Sequence, residues 1–378
     1  MDLILRKVRK LLTDARRKNI MRIGIYTPYL DTLGGGEKYM LTIAEAFAQK
    51  ETVEVLLGTH QYAKDFSQIK NKAKDLLGLE LTKVVFVEAP FWPGSSMFDR
   101  MKFLRKYDWF FYITDGSLFL STAKNSVIHF QMPFDNLGAK SAWGRLKLKS
   151  WKSAIYNSKF TQEYVEERWP IKGQVLYPPV STEYFKPLKK KNQIISVGRF
   201  FGYTKAKKHE VMIEAFKQLV DVEKVKNWSL HLAGGVTEGD KEYIEELKKM
   251  AEGYDIYFYP DIKLSELSKL YGESKIYWHA MGYDEDDPKK HEHFGITTVE
   301  SMAAGCVPVV INKGGQPEIV ENGCGFVWNT VDELLEKTQQ LITDEKLMNE
   351  LAQAAVVRSK DFDKSHFKEA LYKLVYGN

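Results

Sequence analysis

Residues 292–305 read Glu-His-Phe-Gly-Ile-Thr-Thr-Val-Glu-Ser-Met-Ala-Ala-Gly and run, after Cys306, into VPVVINKGGQPEIVENGCGFVW at 307–328. Gly295 opens a turn from loop into helix, and Phe294, Ile296 and Val299 are spaced to pack inward. The stretch closes on Gly305, and after it the β-branched run VPVVIN predicts a strand. A Gly-Gly turn, a short helix from Pro317 and the apolar segment GFVWN follow. Strand and helix joined this tightly predict a parallel, doubly covered sheet. The two glutamates lie eight residues apart, Glu292 in the loop and Glu300 one to two turns into the helix. Carboxylates accept hydrogen bonds from sugar hydroxyls, so one suits a sugar and the other a ribose. The helix N-terminus between them favours a phosphate.

The same alternation continues in both directions. Upstream in the second half lie QIISVG (193–198), WSLHLAG (228–234), DIYFYP (255–260) and KIYWHA (275–280). The first half offers RIGIYT (22–27), VEVLLG (53–58), KVVFVE (83–88), WFFYIT (109–114), SVIHF (126–130) and SAIYNS (153–158). Amphipathic helices over 36–49, 208–220 and 238–252 fall between strands. Two such arrays in 378 residues predict an α/β protein of two doubly wound, Rossmann-like domains. The join is expected in LYPPVSTEYFKPLKKKN (176–192), where three prolines oppose regular structure and Lys189, Lys190 and Lys191 call for solvent. The expected divisions are a basic extension (1–20), an N-terminal domain (21–180), a C-terminal domain (181–360) and a final helix (361–378) crossing back to the first domain.

Composition excludes several classes. A 44% hydrophobic chain builds full cores, so disorder is out. No apolar run approaches the length of a membrane span. The opening MDLILRKVRKLL lacks the apolar core and cleavage site of a signal peptide. Cys306 and Cys324 have no company for a zinc site or disulfide framework. The expectation is a cytoplasmic protein without a structural metal.

The net charge of +5 is unevenly placed, with 28 basic against 18 acidic residues over 1–180 and 27 against 32 over 181–378. The first half is built to sit near anions. In residues 3–18, Ile4, Val8, Leu11, Leu12 and Ala15 form one helical stripe amid seven cations. That suits a helix in a membrane interface, or a helix packed on its own domain with a solvated basic face. Residues 138–152 interleave Trp143 and Trp151 with lysines and an arginine, and 91–106 mix aromatics with Arg100, Lys102, Arg105 and Lys106. Indoles and lysines fit a lipid headgroup boundary. A plain surface over core aromatics explains the same pattern, and single-stranded nucleic acid fits it less well.

Three further stretches carry chemistry. After Thr27-Pro28, Gly34-Gly35-Gly36-Glu37 stands at a strand-to-helix turn, where backbone N–H groups approach a phosphate, although a turn needing positive φ explains the glycines equally. Neither G-x-G-x-x-G nor a Walker sequence is present, so the nicotinamide-dehydrogenase and P-loop readings lose their fingerprints. VGRFFGYTKAKK (197–208) puts Arg199 past a strand end, with Lys205, Lys207 and Lys208 following, where cations can neutralise a diphosphate. The run Asp284-Glu285-Asp286-Asp287 invites a metal reading but sits among Gly282, Pro288, Lys289 and Lys290, as a solvated loop would.

Glu292 to Glu300, followed by Gly305, Pro308, Gly314-Gly315, Pro317-Glu318 and Gly325, resembles the family-4 retaining glycosyltransferases of GT-B fold. EHFGITTVESMAAG further resembles the mannosyltransferases that extend lipid-linked oligosaccharides. The resemblance runs from about residue 21 to the C-terminus and leaves out residues 1–20 and the loop Gly202–Lys205. It implies two domains facing across a cleft, and hexose transfer, mannose above all, from a GDP- or UDP-linked donor with retention. The acceptor implied is a lipid-linked or cell-surface glycan. By the same resemblance Arg199 and Lys207 bind the donor diphosphate and Glu292 the sugar hydroxyls. Phe294, Gly295 and Ile296 offer backbone N–H groups, Glu300 holds the ribose, and Gly35 and Gly36 close over the diphosphate. His129 matches a histidine near the reaction centre. No metal or other cofactor is implied, since Arg and Lys supply the positive charge. With the basic first half, this places the protein on the inner face of an anionic membrane, peripherally, with no nucleic-acid partner. An epimerase or phosphorylase of the same fold, and a glycan-binding or partner subunit without activity, are the alternatives.

Overall fold

A computed structural model describes residues 20–377 except 29, 31–32, 59–65, 93, 136–140 and 322. The basic stripe at 3–18 and residues 138–140 of the tryptophan-lysine stretch therefore lie outside the described residues. The chain forms two compact units. One comprises residues up to 156, 162–176 and 370 onward, the other 157–161 and 177–369.

The first unit is built on seven strands: β1 (Arg22–Tyr26), β2 (Thr52–Leu57), β3 (Val85–Glu88), β4 (Trp109–Ile113), β5 (Asn125–Phe130), β6 (Ser153–Tyr156) and β7 (Gly173–Val175). They lie in the order β3-β2-β1-β4-β5-β6-β7, and neighbouring strands pair in parallel, as in Ile25 against Val55 and Phe111. β7, of sequence GQV, escapes a sequence reading because three partly exposed residues carry no pattern. Helices α1 (Gly35–Phe47) and α2 (Phe66–Leu77) follow β1 and β2. Helices α3 (Met97–Leu104), α4 (Ala142–Lys149) and α5 (Lys159–Arg168) follow β3, β5 and β6. Leu104, Leu148 and Val165, one from each of these last three, join one core with Phe110, Tyr112, Ile128, Phe130 and Tyr156. The two aromatic-basic stretches of the sequence thus cover the same face of this sheet.

The second unit carries β8 (Lys191–Val197), β9 (Ser229–Gly234), β10 (Ile256–Pro260), β11 (Ser274–His279), β12 (Val307–Ile311) and β13 (Phe326–Trp328), ordered β10-β9-β8-β11-β12-β13. Alternation splits each strand between two cores. Ile194, Ile276, Trp278, Val307 and Val309 face one, and Ile195, Tyr277 and Val310 the other. Both faces are covered, by α6 (His209–Asp221), α7 (Lys241–Met250), α8 (Leu264–Glu273), α9 (Ile296–Ala303), α10 (Gln316–Ile319), α11 (Val331–Thr343) and α12 (Glu345–Ser359). The last helix, α13 (Lys364–Tyr376), starts in this unit, and its residues from 370 on belong to the first. There the Tyr372 hydroxyl donates to the Ala46 carbonyl at 2.7 Å and Tyr376 to Glu51 at 2.8 Å.

Two features differ from the sequence reading. The segment 177–190 is packed into the second unit, with Val180 and Phe185 buried and the Val180 N–H bonded to the Phe362 carbonyl. Lys190 turns inward, its Nζ donating to the carbonyls of Ser274 and Ala304 at 2.7 Å each, because the ends of α8 and α9 leave acceptors unfilled there. Residues 157–161 cluster with the second unit because buried Glu318 reaches them. Its carboxylate accepts the Lys159 N–H at 2.9 Å, the Phe160 N–H at 3.3 Å and the Tyr177 hydroxyl at 2.9 Å, capping the start of α5.

Candidate active site

Strand order in the second sheet reverses between β8 and β11, and ligands of open α/β sheets bind outside the carboxyl ends at such a point. The loop leaving β8 carries Arg199 and Lys207, and the chain leaving β11 carries Glu292. Gly198 is required here, since a Cβ would lie 2.7 Å from Cγ of Lys207. The lysine stem crosses that space and its Nζ donates to Glu292 Oε2 at 2.5 Å. Nε2 of buried His279, the last residue of β11, stands 3.4 Å from the same oxygen. Burial pushes the Glu292 carboxyl up, but the Lys207 charge and the His279 hydrogen bond outweigh it and hold the group well below the usual carboxylate range. Burial lowers the His279 pKa despite Glu292, so the ring is neutral at pH 7.

The backbone around Glu292 is fixed by the glycine pair. Gly315 donates to the Glu292 carbonyl at 2.8 Å, and Cβ atoms at 314 and 315 would lie 2.2 Å and 2.5 Å from the carbonyl oxygens of Glu292 and His293. Gly295, at φ +127°, turns the chain into α9. Above it lies the buried Gln316 amide, which donates to the Phe294 carbonyl at 2.9 Å and accepts from Thr298 Oγ1 at 2.7 Å. Phe294 is buried against Tyr177 and Phe362. The first N–H groups of α9, starting at Ile296, have no acceptor within the helix. Glu300 follows one turn on, next to Tyr271, whose buried phenol is raised by burial first and then by the Glu300 charge.

Lys207, Glu292, Phe294, Gly295, Ile296 and Glu300 thus belong to one sheet end. Arg199 is exposed in the same β8–α6 loop, its guanidinium 5.5 Å from the Phe201 ring centre. His129, Gly35 and Gly36 belong to the first unit. There Gly36 packs under Gln131, whose Oε1 would lie 2.3 Å from a Cβ, and Glu37 accepts the Gly34 N–H at 2.8 Å, closing the glycine turn. His129, the penultimate residue of β5, is only 1% exposed, its ring stacked on Tyr39 at 4.0 Å. Nδ1 donates to the Ile155 carbonyl at 3.2 Å, and burial lowers its pKa to about 3. The position is more enclosed than a strand-end reading implies, because Tyr39 of α1 covers it.

The acidic run is occupied by lysines. Glu285 accepts from Lys208 and Lys290 at 2.8 Å each, and Asp287 caps the turn at Lys289. Hydrogen bonds from those two lysines pull the Glu285 carboxyl down to about 2. This ties the 284–291 segment to the loop bearing Lys207. Stability from these contacts is full above the unfolded carboxyl's pKa of 4.5 and is lost as pH falls towards 2. Glu285→Gln is therefore expected to flatten the acid limb of a urea-midpoint profile between pH 2 and 5; an unchanged limb contradicts the assignment.

Residues 181–358 match the family model described as glycosyl transferases group 1. This stretch is a group 1 glycosyltransferase domain. The chain is 26% identical over 247 residues to a GDP-Man:Man(3)GlcNAc(2)-PP-Dol alpha-1,2-mannosyltransferase of Dictyostelium discoideum, covering 59% of this chain and 47% of that protein. To the human protein of the same name it is 30% identical over 178 residues, covering 43% and 34%. The chain thus matches half or less of these relatives' length. Among solved structures it is similar to a glycosyltransferase from Rickettsia africae ESF-5, with a TM-score of 0.71 at 18% identity over 95% of this chain and 100% of that one. It is also similar to Anabaena Alr3699/HepE in complex with UDP and glucose, at 0.68 and 16% over 95% and 100%. The fold is that of the GT-B glycosyltransferases: two parallel-sheet α/β domains.

Within the group 1 domain, sequence reasoning missed His279, Gln316 and Tyr271. His279 read as an ordinary strand residue, and Tyr271 lay outside every stretch that carried a signal. A carboxamide straight after a double glycine was the one local signal for Gln316.

Proposed function

We propose that the protein transfers mannose from GDP-mannose, with retention at the anomeric carbon, to a lipid-linked glycan. The observation that carries this reading is the Lys207–Glu292 pair at the β8/β11 switch, set beside the open N-terminus of α9. The mannosyltransferase relatives support the choice of donor and acceptor. In this reading Arg199, Lys207 and the first α9 N–H groups meet the charge of the departing diphosphate, so no metal is needed. Glu292 accepts from sugar hydroxyls and Glu300 from the ribose. The family resemblance alone assigns Gly35 and Gly36 to the diphosphate and His129 to the reaction centre.

The protein acts from the cytoplasmic side, held peripherally on an anionic bilayer. Phe98, 73% exposed on α3, and Met97, Trp143 and Leu146, also exposed on α3 and α4, stand among Lys102, Arg105, Arg145 and Lys149 on one face of the first sheet. No described helix is long and apolar enough to cross a membrane.

Thermal unfolding with GDP, UDP and ADP tests the donor. A nucleotide at a hundred times its dissociation constant stabilises by about 2.7 kcal/mol, a shift of roughly 5–10 °C. GDP is expected to shift the wild type and to shift Glu300→Gln less; no shift with any nucleotide refutes the donor site. Turnover of GDP-mannose without acceptor would instead indicate an epimerase or hydrolase. Binding to phosphatidylglycerol vesicles at low salt, weakened in Phe98→Ala/Trp143→Ala, tests the membrane face. Equal binding of both proteins refutes it.

A further inference from the structure

Between Arg199 and Lys207 the chain builds a loop whose tip neither cation uses. Tyr203 at that tip is fully exposed, and Phe201 beside it is 36% exposed. The tip is held from both sides. The Gly202 N–H donates to Asp240 Oδ1 at 2.9 Å, and Thr237 Oγ1 fixes the other carboxylate oxygen at 2.5 Å. A Cβ at 202 would lie 2.9 Å from Cβ of Tyr243, so the loop rests directly on α7. Lys205, at φ +48°, donates its N–H to the Phe201 carbonyl at 2.8 Å. Its ammonium lies 3.3 Å from Glu210, 3.4 Å from Glu246 and 5.0 Å from the Tyr243 ring centre. A phenol ring is thus presented to solvent on a braced support, where folding gains nothing from it.

The charges say what this ring suits. Lys205 is taken by Glu210 and Glu246, Lys207 by Glu292 and Lys208 by Glu285. Among the described residues only Arg199 of the loop's cations has no carboxylate partner. A polyanionic surface therefore finds little here, whereas the C–H face of a neutral pyranose finds an aromatic face of negative quadrupole. If Arg199 and Lys207 hold the donor diphosphate, the anomeric carbon is one oxygen away, and the attacking acceptor sugar comes to the same loop.

We propose that Tyr203 is a stacking platform for a pyranose ring of the acceptor glycan. This rests on the donor reading above and goes beyond it, in naming a residue that would hold the acceptor. The test compares wild type, Tyr203→Ala and Tyr203→Phe. Saturation-transfer NMR with α-mannotriose, a probe independent of turnover, is expected to show pyranose signals for wild type and Tyr203→Phe that fall in Tyr203→Ala. With a short-chain lipid pyrophosphate oligosaccharide as acceptor, Tyr203→Ala should raise the acceptor KM roughly three- to tenfold, the size of one aromatic contact, and leave the GDP-mannose KM unchanged. Equal mannotriose signals in all three proteins, or none in the wild type, overturn the platform. So does a Tyr203→Ala defect seen only in vesicle binding. The GDP-induced thermal shift, measured alongside, reports separately on the donor reading.

Discussion

If the protein has the mannosyltransferase activity proposed above, Lys207→Met and Glu292→Gln, made singly and together, are expected to lower its kcat/KM by similar factors, about a hundred- to a thousandfold each. The double variant should be little worse than either. The two side chains share one hydrogen bond of 2.5 Å, so each variant disables what the other residue does. Without Lys207 the Glu292 carboxylate keeps only a neutral imidazole beside it, and its pKa rises. Without the carboxylate, the half-buried ammonium is left with the Met281 sulfur at 3.4 Å and loses the anchor that fixes its position. Each single variant should also lose about 1–3 kcal/mol of stability, as expected for a charged hydrogen bond. Additive losses in a double-mutant cycle would mean that the two residues act independently, contrary to this geometry.

The second large effect is expected at Gly295→Ala. At φ +127° any side chain is strained, by about 1–3 kcal/mol. The new Cβ would also lie 2.1 Å from Nε2 of Gln316, displacing the amide from the Phe294 carbonyl. Together these should cost about 3 kcal/mol or more in urea unfolding and abolish the nucleotide-induced thermal shift. Adding Gln316→Ala relieves the clash but not the dihedral strain, so the double variant should recover stability only in part. Full recovery would assign the whole effect to the amide; wild-type stability in Gly295→Ala would refute both causes.

The fold was legible because strands buried on both faces must be apolar almost throughout, as WFFYI at 109–113 and VPVVI at 307–311 are. Glu292, Glu300 and Arg199 stood out as candidates by residue type and placement, whereas the resemblance alone chose Lys207 from among three neighbouring lysines. What escaped depends on partners distant in sequence. Lys190 looked solvated until the carbonyls of Ser274 and Ala304 were in place. The enclosure of His129 is set by Tyr39, ninety residues away in sequence. Glu285 read as part of a solvated acidic loop, and its pairing with Lys208 could not be seen because that lysine comes from another loop.

The route of the chain bears on recombination between such proteins. A crossover placed at the apparent linker would detach Lys159 and Phe160 from Glu318, leaving a buried carboxylate without its backbone donors. It would also exchange Tyr372 and Tyr376 of α13 away from the Ala46 and Glu51 they were fitted to. A chimera that keeps the first unit native must therefore inherit three separate pieces of chain: the stretch to 156, residues 162–176 and the tail from 370. Homologous exchange of a single block cannot supply them, so the two halves are expected to evolve as one inherited whole.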